Sequence, residues 1–243
     1  MNIVFTMAGK YSRFKLFGAQ VPKYLLPLGQ STILSKVIDE IKKSCCESRF
    51  FFIANRNDQL FYPILKSILK RYDIDESSLI YIDDTNSQLE TATYATELLH
   101  PKLISDPICF ANIDTIAMNR GVFFKQLSVA AADTALLDTF EGRSAKYSYV
   151  HADDDQSILR VVDNNIISKF SCSGLYGFGD FSTMLSLTSE LLQRDKSANF
   201  TTLYNLYIER GNRVLNMPSQ SINDTVVLGT PEDYVTNIHR FSQ

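Results

Sequence analysis

Histidine and cysteine are scarce in this 243-residue chain, and neither occurs in a pattern that builds a site. His100, His151 and His239 are scattered, so neither a metal-spaced histidine cluster nor a Ser-His-Asp set is readable. Cys45, Cys46, Cys109 and Cys172 show no paired metal spacing, and adjacent Cys45 and Cys46 are poor disulfide partners. Reduced, structural thiols are the expectation. No basic block occurs and the net charge is -3, which argues against a nucleic-acid partner. No apolar run approaches the length that spans a bilayer, and the N-terminus lacks a secretory pattern. A cytoplasmic protein with no membrane partner is therefore expected. No repeat, low-complexity tract or linker interrupts the chain. With 45% hydrophobic and 21% charged residues, its 243 residues fit one large α/β domain spanning 1–243.

What is present reads as an alternation of strands and helices. Asn2–Met7 is a short apolar strand. A helical face of Ile33, Leu34, Val37, Ile38 and Ile41 follows, with Ser31 or Thr32 as its cap. Residues 49–54 read as a buried strand, Leu60 to Leu69 as a helix, and 79–82 as another strand. This rhythm predicts a mostly parallel sheet with helices on both faces. A helix to about Leu99, a strand over 107–111, and strands near 134–140, 147–152 and 158–162 extend the pattern. Helices over 180–193 and 199–210 and a short strand near Val214 come last.

The chemistry gathers at the N-terminus. The strand opens into Ala8-Gly9-Lys10-Tyr11-Ser12-Arg13-Phe14, followed by Pro22-Lys23-Tyr24-Leu25-Leu26-Pro27. Gly9 lets a phosphate approach the backbone, while Ser12, Arg13 and Lys23 offer donors and charge. The alternative is a surface turn with solvated cations. Further on, Asp114 follows an apolar strand, at the carboxyl end where open α/β sheets bind ligands. Gln88 carries an amide that can complement a base edge.

The two N-terminal blocks resemble the signature of sugar-phosphate nucleotidyltransferases, Ala-Gly-x-Gly-[Ser/Thr]-Arg-[Phe/Leu] followed by Pro-Lys-x-Leu-[Leu/Ile]-Pro. The resemblance implies a Rossmann-like (GT-A-like) fold, a mixed, mostly parallel sheet flanked by helices. It implies that Arg13 and Lys23 are catalytic, and that Ala8, Gly9, Ser12, Gln88, Thr91 and Asn112 bind the nucleotide. It further implies that Asp114 holds Mg²⁺. Ser171-Cys172-Ser173-Gly174-Leu175-Tyr176 resembles the acceptor-side strand, which places Gly174 and Tyr176 beside the acceptor.

Four departures stand out. Tyr11 replaces the second glycine, and Ser87 takes a position often held by glycine. Asp163 and Asn164 stand where glucose-type members carry a Glu-Lys pair, so Lys169 becomes the candidate acceptor cation. Val227 replaces a second metal aspartate, with Asp224 as an alternative ligand and Asp233 read as a helix cap beside Thr230 and Pro231.

The implied reaction joins a nucleoside triphosphate to a phosphorylated small molecule and releases pyrophosphate. Small size, the lack of an added C-terminal domain and the Met7-Ala8-Gly9 loop look like the branch found in bacterial capsule and surface-polysaccharide pathways. Within it the chain is similar to cytidylyltransferases that use CTP and phosphoglutamine, although a sugar phosphate stays open as acceptor, as does a homo-oligomer. A GT-A-type glycosyltransferase and a non-catalytic nucleotide-binding homologue are the alternatives.

Overall fold

The computed structural model describes residues 1–45, 47–103, 107–220 and 224–241. Cys46 lies outside these described residues. The chain begins with β1 (Asn2–Met7), α1 (Ser12–Leu16), the small hairpin of β2 (Pro27–Leu28) and β3 (Ser31–Thr32), then α2 (Ile33–Ser44). It continues through β4 (Arg49–Asn55), α3 (Tyr62–Arg71), β5 (Leu79–Ile82), α4 (Gln88–Leu103), β6 (Ile108–Ala111), β7 (Thr115–Ala117) and α5 (Gly121–Ser128). The second half runs β8 (Thr134–Glu141), β9 (Ser148–Ala152), β10 (Ile158–Asp163), β11 (Phe170–Phe178), α6 (Phe181–Arg194) and α7 (Phe200–Glu209). It closes with β12 (Arg213–Gln220), β13 (Thr225–Val227) and α8 (Pro231–Asn237).

These strands form a mixed sheet in the order β10-β9-β11-β6-β1-β4-β5, with β8 and β12 joined beyond β11. The run β5-β4-β1-β6 is parallel. β11 pairs antiparallel with β6, β8 and β9, and β12 returns parallel to β8. The alternation of side chains along β1 explains its central place. Ile3, Phe5 and Met7 enter the cluster that contains Val37, Ile38 and Ile41 of α2, while Val4 enters the opposite cluster with Leu89 and Ala92 of α4. Burial on both faces accounts for the apolar run Ile3–Phe5, as in parallel strands of open sheets.

Local chemistry sets the element ends. Thr32, rather than Ser31, caps α2: its Oγ1 accepts from Ser35 N at 3.2 Å. Gly29 turns the β2–β3 hairpin at φ +62, where a Cβ would lie 2.2 Å from the Phe241 carbonyl oxygen. β13 pairs antiparallel with β7, so Val227 lies opposite Thr115, the residue after Asp114. Among the described residues, Cys45, Cys109 and Cys172 are free thiols, and no helix is long and apolar enough to cross a membrane.

Candidate functional site

At the carboxyl ends of β1 and β6 lies a cavity of about 380 Å³. Its floor is Thr6, Met7 and Ile113, its rim carries Gly9, Ser12 and Arg13, and its wall carries Gln88, Thr91 and Asn112. Lys23 and Asp114, 91 residues apart, meet there as an ion pair, Nζ to Oδ2 at 2.6 Å. Both side chains are largely buried, at 25% and 18% exposure, so their mutual field is weakly screened. Among the sequence-predicted residues, eight line this one space: Gly9, Ser12, Arg13, Lys23, Gln88, Thr91, Asn112 and Asp114.

The remaining candidates lie around it. Ala8 is buried, and its carbonyl accepts from Asn55 Nδ2 at 3.0 Å. Gly174 adopts φ +87 directly beneath Asn112, where a Cβ would lie 2.8 Å from the Asn112 side chain. Its carbonyl receives the Asn112 backbone N–H at 2.8 Å. Tyr176 stacks on Phe200 at 4.1 Å, and burial raises its phenol far above the ordinary range. Lys169 is not brought into the cavity: it is exposed and faces Glu141 at 3.4 Å.

The loop after β1 is held by partners that sequence reading missed. Tyr11 sits in the left-handed region at φ 38, the conformation that a glycine adopts without strain. Its hydroxyl donates to Asp58 Oδ1 at 2.9 Å, and Tyr24 donates to Oδ2 at 3.0 Å. Burial pushes the Asp58 carboxyl up, against the downward pull of the two phenols. Tyr11 thus replaces the expected glycine while keeping its backbone shape, with the strain offset by a hydrogen bond to a buried carboxylate. Tyr11→Gly should therefore be more stable than Tyr11→Ala by about 1 kcal/mol, since both lose the phenol but only alanine retains the strain. Chemical denaturation of the two variants measures the difference, and equal midpoints would remove the strain argument.

Asn55 ties the loop from the other side, donating to both the Ala8 carbonyl and Asp84 Oδ1 at 2.8 Å, while Lys10 pairs with Asp84 at 3.2 Å. Gly9 itself meets no protein atom within 4 Å of an added Cβ. Protein packing therefore leaves the space above it open to a ligand. Gln88 Nε2 donates to Thr6 Oγ1 at 2.6 Å and also to Asn112 Oδ1, which fixes the amide's orientation.

A cation would find one carboxylate here. No group of three or more His, Cys, Asp or Glu side chains suited to a metal occurs among the described residues. Val227 offers no donor, and Asp224 sits at the far end of the ribbon, its carbonyl accepting from Met118 N at 3.3 Å. Asp233 completes a capping box, its Oδ2 accepting from Thr230 N at 3.1 Å and from Thr230 Oγ1 at 2.6 Å. Asp114 fits a Mg²⁺ carried mainly by substrate phosphates, which takes one or two protein carboxylates; the set does not fit an all-protein cage.

Asp114→Asn should accordingly lower any metal-dependent turnover by at least about 10²-fold. Asp233→Asn should instead cost about 1 kcal/mol of stability, or roughly 2–4 °C in melting temperature, and leave turnover near wild type. Loss of catalysis in Asp233→Asn at unchanged melting temperature would reassign that carboxylate to the metal.

The chain matches no protein-family model and no curated protein. Among solved structures, it is similar to a nucleoside-diphosphate-sugar pyrophosphorylase from Vibrio cholerae RC9, with a TM-score of 0.82 and 22% identity over 98% of this chain and 99% of that one. A UDP-glucose pyrophosphorylase complexed with UDP-glucose matches with a TM-score of 0.76 and 14% identity over 99% of this chain and 97% of its own. The inositol-1-phosphate CTP transferase from T. maritima matches at 0.74 and 13% identity, over 99% and 95%. At such identities the likeness is one of architecture, and the chain carries the Rossmann-like fold of these nucleotide-handling enzymes over nearly its whole length.

Proposed function

We propose that this chain is a nucleotidyltransferase, one catalytic unit that moves a nucleoside monophosphate from a triphosphate to a phosphorylated small molecule and releases pyrophosphate. The observation that carries this reading is the Lys23–Asp114 pair inside a polar cavity rimmed by Arg13 and the open Gly9 loop. An acceptor phosphate is already ionised when it attacks the α-phosphorus, so neither a protein nucleophile nor a strong general base is needed. Positioning and charge neutralisation carry the reaction. Arg13 stabilises the triphosphate and the departing pyrophosphate, and Lys23 bridges the reacting phosphates. Asp114 would hold Mg²⁺, which supplies charge neutralisation at those phosphates when bound.

The nucleotide is CTP in this reading. Gln88 spends its N–H groups on Thr6 and Asn112, leaving Oε1 to read a base. An acceptor there suits an amino edge such as that of cytosine. The partner is a non-sugar phosphate, with phosphoglutamine as the favoured example, in capsule or surface-polysaccharide synthesis. The position of the usual acceptor lysine is held by Asn164, and the neighbouring Asp163 carboxylate is engaged by Ser148 at 2.5 Å, Thr201 at 2.6 Å and Asn199 at 2.7 Å. Loss of that lysine argues against an ordinary glucose 1-phosphate acceptor, whose phosphate would lack its usual partner.

The test is a screen of CTP, UTP, dTTP and ATP against phosphorylated acceptors with Mg²⁺, read as pyrophosphate release. CTP with a non-sugar phosphate is the expected pair. Preference for dTTP with glucose 1-phosphate would overturn the specificity, and no release with any pair would overturn the transferase.

A further inference from the structure

A second cavity of about 380 Å³ opens on the other side of the β13–α8 turn. Gly229 lines the first cavity and Val227 the second, so the two share this turn as a wall. The chemistry of the second is cationic. Arg143 and Arg240 line it with the polar side chains of Ser144, Tyr147 and Asn237. The carboxylate in its wall belongs to Asp233, whose Oδ2 is engaged in capping α8. Two guanidinium groups and one carboxylate line the cavity.

An independent observation points to a ligand. Thr225 lines the same cavity at 5% exposure, and its Oγ1 has no hydrogen-bond partner among the described residues. A buried hydroxyl without a partner is unfavourable, and native structures rarely leave one so. An anion's oxygen would satisfy it. Arg143 forms no ion pair among the described residues, so its fork of donors is available for a planar or tetrahedral anion.

We propose that this cavity is an anion subsite for a small phosphate- or carboxylate-bearing molecule, held by Arg143, Arg240 and Thr225 Oγ1. Two sources share that chemistry: the distal anionic group of the acceptor and a separate small effector. The site itself does not rest on the transferase reading, because binding is measured without turnover.

The experiment is calorimetric titration of orthophosphate, and separately succinate, into the full chain carrying Arg13→Ala and Lys23→Ala, which disables the first cavity. Binding of either anion should persist there and weaken about tenfold in Arg143→Ala, the loss expected for a charge-assisted hydrogen bond. Thr225→Val should also weaken it, while leaving the ligand-free melting temperature unchanged or raised, because it removes an unsatisfied hydroxyl. If the double background fails to fold, the wild-type chain should show two binding events, of which Arg143→Ala removes one. Absence of binding by both anions, or binding indifferent to Arg143→Ala and Thr225→Val, overturns the subsite. In active protein, Arg143→Ala that raises the acceptor KM identifies the acceptor's own anionic group; an acceptor KM unchanged by Arg143→Ala identifies a separate effector.

Discussion

Lys23→Ala should fold like wild type and lose about 10²- to 10³-fold in turnover, the usual cost of removing one positioned charge-stabilising donor. Arg13→Ala should behave alike, for a simpler reason: Arg13 is exposed on the cavity rim and anchors no part of the fold. The loss should fall mainly on kcat, since both cations are assigned to charge that builds up as pyrophosphate leaves. Lys23→Arg should not restore activity, because a planar guanidinium fork cannot take the place of a compact ammonium 2.6 Å from Asp114. Lys23 and Asp114 also share one ion pair, so the double variant with Asp114→Asn should lose far less than the product of the single losses. Steady-state kinetics at saturating triphosphate, with melting temperatures as the control, checks all of this. Wild-type turnover in purified Lys23→Ala would remove the assigned role.

How far the site could be read in advance follows from the distance over which its contacts act. The apolar periods of β1, α2 and β4 reflect burial, which is written locally, and those elements appear where the pattern places them. The β7–β13 ribbon was invisible because Thr115–Ala117 and Thr225–Val227 are too short to carry a period, and their pairing is wholly tertiary. Helix α5 was missed because Val122, Phe123 and Phe124 are consecutive and mask the helical spacing. β12 runs far beyond Val214 because β8 offers a parallel partner along its length.

The same logic applies to function. Motif residues near one another, such as Gly9, Arg13 and Lys23, could be read together. The residues that hold them, Asn55 and Asp58, act across 47 residues of chain and left no local signal. Tyr11 is the sharpest case. A bulky residue argues against the left-handed conformation, and Asp58, supplied by another element, helps to hold it here together with Lys15 over the Tyr11 ring. Lys169 shows the converse: residue type suggested an acceptor cation, but the bend just before β11 leaves it exposed beside Glu141, outside the cavity lining.

Removing either partner of the buried Arg120–Asp138 pair should be the most destabilising single change in the chain. Arg120 and Asp138 are 1% and 0% exposed, with Nε 3.3 Å from Oδ2. Burial lowers the Arg120 pKa from its ordinary value, and Asp138 opposes that shift. The Nε group lacks a well-aligned hydrogen bond, so the ion pair is held by charge and by Ser173. Arg120 reaches the Ser173 carbonyl and Oγ at 3.3 Å, and Ser173 Oγ donates to Asp138 Oδ2. Truncating one partner strands the other charge in the core, which costs about 3–5 kcal/mol. For a chain of this size that corresponds to roughly 10 °C or more in melting temperature. Replacing both, as Arg120→Met with Asp138→Leu, should recover most of the loss, because desolvation offsets most of what a buried pair contributes. Ser173 precedes Gly174, whose backbone holds Asn112 at the cavity wall. The apolar double variant should therefore regain stability before it regains nucleotide affinity, read as triphosphate binding against melting temperature. A wild-type melting temperature in Asp138→Ala would show that the pair contributes nothing to the fold.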